Sequence, residues 1–321
     1  MTFRPLILGF IAAATCLAAD PALLNLIVRE PKVVAGIDVQ RAKNSAFGQK
    51  IISGIKDDDE GFQRLLAATG FDPRRDLREV VISSDVEKTH DRTLIVAGGT
   101  FDTSRIARYI QSEGGTSTSY RGFDLLKGKS SSEDRQNGSI TFLSGTMALI
   151  GNDDLVRDAI DRHLGQTQTA LDPTIAAKIQ EWSSNNDAWF VSSGSLTPPA
   201  GRQGTPGNSM IPQIVPLESI QKAYAGVRFG SDLAISGETI MRSEEDARSL
   251  SDVIRFAVSM IRMNQDKPGM EDLQKIADTV QVSTAGVTTR FSMTLPEDAL
   301  QKMLNSRPRV RTERRARPEV I

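Results

Sequence analysis

The chain carries one cysteine and two histidines, and aromatic residues make up only 5% of its 321 positions. A lone cysteine, Cys16, excludes an internal disulfide framework. With His90 and His163 as the only imidazoles and no His-Glu-x-x-His pair, a zinc centre would have to be built mainly from carboxylates. The scarcity of aromatics argues against a carbohydrate cleft lined with stacking platforms. Charge of one sign is missing too: 39 Lys and Arg face 40 Asp and Glu, for a net charge of −1. Nothing therefore steers the whole molecule toward nucleic acid or a charged membrane, and a charge-driven partner has to meet a local patch.

The apolar run at the start stops at Asp20, short of the roughly 20 apolar residues a membrane span needs. Arg4 precedes an uncharged stretch from Leu6 to Ala14, and small residues follow up to Ala19. That order is the order of an export leader. The leader is expected within residues 1–19, cut after Ala18, which leaves Cys16 at −3 and Ala18 at −1, in preference to Ala19, which leaves the bulkier Leu17 at −3. Cleavage removes the only cysteine. A lipid anchor on Cys16 is the rival, but Ala13-Ala14-Thr15 lacks the usual Leu at −3 and the small residue before the cysteine. An exported, cysteine-free chain of roughly 300 residues has to rest on its core alone, which such a length supplies by burying about three quarters of its unfolded surface. The expected address is extracytoplasmic and bacterial, in the periplasm or secreted, with no transmembrane span after cleavage.

Beyond the leader the pattern runs twice. In residues 20–170, Val33 to Val39 reads as a strand, helical segments follow near Ser45 to Ile55 and Glu60 to Thr69, and Val80 to Ser84 and Thr93 to Thr100 read as strands rich in β-branched residues. Asp102 stands at an N-cap position, with Ile106, Tyr109 and Ile110 at helical spacing behind it and Gly114-Gly115 as the stop. A strand over Thr118 to Leu126, a polar excursion, a hairpin around Ser144-Gly145-Thr146 and a helix capped by Asn152 complete this half. Residues 171–305 restate the order: strands at Ala188 to Ser193, Tyr224 to Phe229 and Leu233 to Met241, then a capping-box start at Ser243. The helix behind it carries the stripe Ala247, Leu250, Ile254, Ala257, Val258 and Ile261. A helix near Met270 to Asp278, a hairpin and a short helix to Leu304 follow. The predicted class is α+β, two similar halves, each an antiparallel sheet backed by helices. The Pro- and Gly-rich stretch 196–216 reads as a linker or loop, and residues 306–321 as a disordered basic tail.

Candidate chemistry does not assemble from these parts. His90 falls in a charged turn and His163 in the last turn of a helix, where a cation suits the dipole. Asp57-Asp58-Asp59-Glu60 has Gly61 one place too early for a calcium loop. Gly128-Lys129-Ser130 lacks the first glycine of a phosphate-binding loop. Ser53 to Lys56 and Ser219 to Lys222 match Ser-x-x-Lys without the companion elements of a penicillin-recognising enzyme. A pair of carboxylates is defined by space rather than by sequence, and Asp38 and Asp124 are the acids to inspect, each expected to face solvent at a sheet edge. A deep pocket converging two or more acids, including Asp38 or Asp124, would sink the binding reading, and a convex surface with no such pocket would sink the enzyme. No catalytic, cofactor-binding or metal-binding residue is assigned, and no cofactor is expected.

The strongest charge feature is the tail, in which Arg307, Arg309, Arg311, Arg314, Arg315 and Arg317 stand against Glu313 and Glu319. Such a segment is a candidate contact for an anionic envelope surface. At Lys32 to Asp38, Asn44 to Gln49 and Thr69 to Leu77 (Thr-Gly-Phe-Asp-Pro-Arg-Arg-Asp-Leu) the chain resembles exported bacterial proteins of the domain-of-unknown-function kind. The resemblance implies an envelope address and transfers no site residue. The expectation is a non-catalytic extracytoplasmic binding or scaffold protein whose partner is another envelope protein or an anionic surface, not nucleic acid. The alternative is a carboxylate-dependent hydrolase of the envelope.

Overall fold

The computed structural model describes residues 18–49, 60–86, 91–129, 138–167, 171–194, 217–264, 270–296 and 299. The described part begins with a one-turn helix α1 (Pro21–Leu24), strand β1 (Val33–Asp38) and helix α2 (Val39–Asn44), then α3 (Glu60–Thr69), α4 (Pro73–Asp76), β2 (Leu77–Val86) and β3 (Asp91–Gly99). Helix α5 (Thr103–Ser112) leads to β4 (Thr116–Tyr120), β5 (Phe123–Lys127), β6 (Gly138–Ser144) and β7 (Met147–Asn152), and helices α6 (Asp153–His163) and α7 (Pro173–Asn185) follow. The rest is β8 (Ala188–Ser192), β9 (Ile220–Phe229), β10 (Leu233–Met241), α8 (Glu244–Met263), α9 (Glu271–Thr279), β11 (Gln281–Ala285) and β12 (Thr288–Leu295).

All twelve strands join one antiparallel sheet, in the order β11-β12-β10-β9-β8-β1-β2-β3-β7-β6-β5-β4. The fold is α+β, and the two halves meet where β1 pairs β8, with Val33 opposite Ser192 and Ile37 opposite Ala188. Outward from this seam the halves repeat: β1-β2-β3-β7-β6 on one side answers β8-β9-β10-β12-β11 on the other. The first half adds the β4–β5 hairpin at its edge, and the second adds α9. Both outer strands are short and polar, Thr-Ser-Thr-Ser-Tyr in β4 and Gln-Val-Ser-Thr-Ala in β11, which discourages edge-to-edge pairing.

Strand alternation divides the side chains between two helical layers. Val34, Val81, Val96, Trp189 and Val191 belong to the largest core, together with Leu23 of α1, Val156 and Ile160 of α6 and Ile175 and Ile179 of α7. Ala97 packs on the opposite face with Phe101 and Ile106 of α5. Phe190 does the same beside Ala247 and Leu250 of α8. At the seam itself the Trp189 ring lies over Gly36, its cross-strand partner: a Cβ on Gly36 would sit 2.5 Å from the ring. Only glycine admits that contact.

Several sequence expectations shift. The strand expected over Thr118 to Leu126 is a hairpin, because Arg121 (φ 50°) and Gly122 (φ 89°) both take the left-handed region that a two-residue turn requires. Helix α2, capped by Asp38, was not expected and ends at Asn44; the helix expected from Ser45 follows it, with residues 46–49 helical and the Gly48 amide donating to Ser45 Oγ at 2.9 Å. Asn152 precedes its helix without capping it, since its side-chain oxygen accepts the Thr93 amide at 2.8 Å instead. Ala257 is exposed, outside the packed stripe of α8. Stretch 196–216 and tail 306–321 lie outside the described residues.

Candidate functional site

Three Asp-Pro pairs start helices in this chain. Asp20 caps α1, Asp72 caps α4 and Asp172 caps α7, each with its proline in the first turn. The first of these pairs anchors residues 18–28 along the core: Leu23, Leu26, Ile27 and Val28 are all buried. It also brings Asp20 to the end of the β1–β2 pair, where a cavity of about 390 Å³ opens among Asp20, Asp38, Arg41, Arg78, Glu79 and Trp189.

Each charged group there has an identifiable position. Asp38 ends β1, and its carboxylate accepts the Arg41 amide at 2.8 Å as the cap of α2. Arg41 lies 4.0 Å from Asp38 and reaches Asp187 at 2.8 Å. A register irregularity between Leu77 and Glu79 marks a bulge in β2. Beyond it Glu79 stands directly opposite Asp38 on β1, a like-charge pair across two strands. Arg78 approaches Asp20 at 3.8 Å. Both Glu79 oxygens accept the Asp20 amide at 3.2 Å. Burial, reinforced by the Asp20 and Asp38 charges, pushes the Glu79 carboxyl up to about 7 against that hydrogen bond and Arg78.

A consequence is measurable in the chain whose Ala18–Ala19 bond is intact. The folded state keeps the Glu79 proton until about pH 7, whereas the unfolded chain releases it near 4.5. Between those values the unfolded state binds fewer protons, so stability declines as pH rises and levels off above the folded value. The urea midpoint should therefore fall from about pH 5 to about pH 8 in the wild type, and Glu79→Gln should flatten that fall. A wild type and a variant with parallel pH profiles would contradict the assignment.

The acids named from sequence separate here. Asp38 lies beside the central seam, hydrogen-bonded strands flanking it on both sides, and not at a sheet edge. Asp124 is exposed on β5, in a groove with Arg108 and Ser144 and no second acid. His163 is exposed at the end of α6, edge-on to Phe123 at 5.9 Å. Ser219 precedes β9, and Lys222 lies within that strand, so their spacing is not helical. His90, the run 57–59, Ser130, Ser53 to Lys56 and the six tail arginines lie outside the described residues. Among the described residues no cluster of three His, Cys, Asp or Glu side chains is placed to hold a metal ion, and no helix is long and apolar enough to cross a membrane. A second cavity, about 370 Å³ beside Trp182, Arg228 and Thr279, contributes a single acid, Glu181.

The other conspicuous surface is apolar. On α8, Phe256 (60% exposed), Met260 and Met263 (79% exposed) follow one another at helical spacing, and Leu273 of α9 is exposed as well. This stripe is distinct from the face that packs Ala247 and Leu250 into the core. Its arginines are paired: Arg248 with Glu244 at 3.2 Å, Arg255 with Asp252 at 3.7 Å and Arg262 with Asp278 at 3.1 Å.

No protein-family model matches the chain, and no curated protein does. The architecture is similar to that of TP0453 in its crystal form III, with a TM-score of 0.52 at 8% identity, covering 88% of this chain and 96% of that one. For crystal form I the TM-score is 0.47 at 9% identity, covering 88% and 95%. At such identity the likeness is one of fold.

Proposed function

We propose that the protein is a non-catalytic extracytoplasmic binding or scaffold protein, and that it holds another protein of the bacterial envelope against the exposed stripe of α8 and α9. The observation carrying this reading is that stripe. Large apolar side chains aligned on one helix face mark an interaction surface. Its three arginines are each paired with an acid and further acids such as Glu245 stand beside them, which suits a protein interface with an apolar centre and a mixed-charge rim rather than an anionic surface. The cavity does gather Asp38 with Asp20 and Glu79, which counts for an enzyme; against that, Asp38 caps α2, Glu79 holds the Asp20 amide, and residues 18–21 line the space. The tail arginines, Arg307 to Arg317, remain a separate proposed contact for an anionic surface.

The test places a photoreactive residue at Met260 in cells, identifies the adduct, and measures binding of the purified pair. Phe256→Gln with Met263→Gln should leave the melting temperature nearly unchanged, since both side chains are exposed and glutamine is a good helix former. The same change should weaken binding by about tenfold or more. Undiminished binding by that variant would sink the reading.

One observation favours a second reading. Asp38 and Glu79 face each other across adjacent strands, and two carboxyl groups, one with its titration raised to about 7, are the equipment of a glycosidase. An envelope hydrolase would then use Glu79 as acid and Asp38 as nucleophile. Release of reducing ends from envelope polysaccharide, abolished by Glu79→Gln, would establish it.

A further inference from the structure

The cavity already has an occupant in the chain's own residues 18–21. Ala19 is buried, and its nitrogen donates to Ser183 Oγ of α7 at 3.1 Å. One residue on, the Asp20 nitrogen is held by both Glu79 oxygens. Backbone geometry separates consecutive nitrogens by ~3 Å, which brings the Ala19 nitrogen within roughly 6 Å of the Glu79 carboxylate. The charges facing it are Asp20, Asp38 and Glu79 against Arg41 and Arg78. Arg41 is shared between Asp38 at 4.0 Å and Asp187, a further acid, at 2.8 Å. The cluster is one cation short.

We propose that cleavage between Ala18 and Ala19 delivers a new α-ammonium group into this cavity, where it becomes the missing counter-charge and locks the mature amino terminus to the β1–β2 end of the sheet. The inference rests on the export reading of residues 1–18 and adds what processing does to the fold. As a peptide nitrogen Ala19 has one hydrogen, used on Ser183. As an ammonium it keeps that bond and gains two donors and a positive charge in a site where burying a charge is tolerable only beside its opposite. Hydrolysis of the Ala18–Ala19 amide consumes one water, and the leader departs with the new carboxylate.

Opposite charges at this distance favour each other's ionised forms. The ammonium draws the Glu79 carboxyl down, and the carboxylates draw the amine up from its usual 7.7–8.0. The stabilisation is present while both are charged. It shrinks as pH falls through the Glu79 titration and shrinks again as pH rises past that of the amine.

The experiment has two arms. Mass spectrometry of the protein from its native envelope reads the amino terminus, and the expected mature residue is Ala19. Separately, the full mature chain beginning at Ala19 is compared with the same chain N-acetylated, in the wild-type and Glu79→Gln backgrounds, by urea unfolding across pH. Near pH 7 the free amine should favour the folded state by about tenfold over the acetylated chain. That advantage should be largely lost with Glu79→Gln and should decline toward both pH 4 and pH 10. A terminus elsewhere, including a lipidated Cys16, overturns the processing step and the export cut together. Equal stability of free and acetylated chains, or an advantage that Glu79→Gln leaves intact, overturns the charge pairing whatever the terminus proves to be.

Discussion

Trp189→Ala should cost ~3–5 kcal/mol of stability, the range for removing a buried tryptophan. Trp189 is 5% exposed, and it packs where β1 and β8 join the two halves into one sheet. The hole would open at the seam itself, in the largest core and in the wall of the acidic cavity. A companion substitution checks the cause. Gly36→Ala pushes a methyl into the ring and should cost ~1–3 kcal/mol by overpacking. In the Trp189→Ala background the ring is gone, and most of that second cost should vanish. Urea unfolding of the four proteins measures the coupling. Additive costs would show that the seam is not organised by this contact.

Leu23→Ala should be nearly as damaging, at ~2–5 kcal/mol. Leu23 is 0% exposed, from a helix of four residues at the start of the described chain. Terminal segments usually tolerate change because few contacts hold them. Here Leu23, Leu26, Ile27 and Val28 all enter the main core, and Leu23 lies against Gly98 of β3. A loss under 1 kcal/mol in urea unfolding would mean that this segment only rests on the sheet, and the occupied cavity at its end would lose its support.

Element types were readable wherever a local device sets them. The Asp102 cap, the Ser243 cap and the Ser144 to Thr146 hairpin are written within a few residues each, and all three form. The repeated order of the halves was readable for the same reason. Register was not. Whether Asp38 lies at an edge or beside a seam depends on which strand pairs β1, and its partner β8 is about 150 residues distant in sequence. That pairing, and the bulge near Arg78, decide that Asp38 faces Glu79. Glu79 itself carried no local signal. Asp20-Pro21 did, because an aspartate followed by proline is an N-cap and first-turn pair, and Asp72-Pro73 and Asp172-Pro173 repeat it. The exposed face of α8 escaped for another reason: periodicity shows that a helix has an apolar side, and Phe256, Met260 and Met263 form a second one that stays exposed among the described residues.

We propose that this protein acts by binding through α8 and α9 while the acids of its cavity serve the fold. The most direct measurement is the yield of the Met260 photoadduct in the native envelope, taken for wild type, Glu79→Gln and the Phe256→Gln/Met263→Gln pair at matched protein levels. The account predicts an adduct that survives Glu79→Gln and disappears with the stripe variant. An adduct indifferent to the stripe and lost with Glu79→Gln would contradict it.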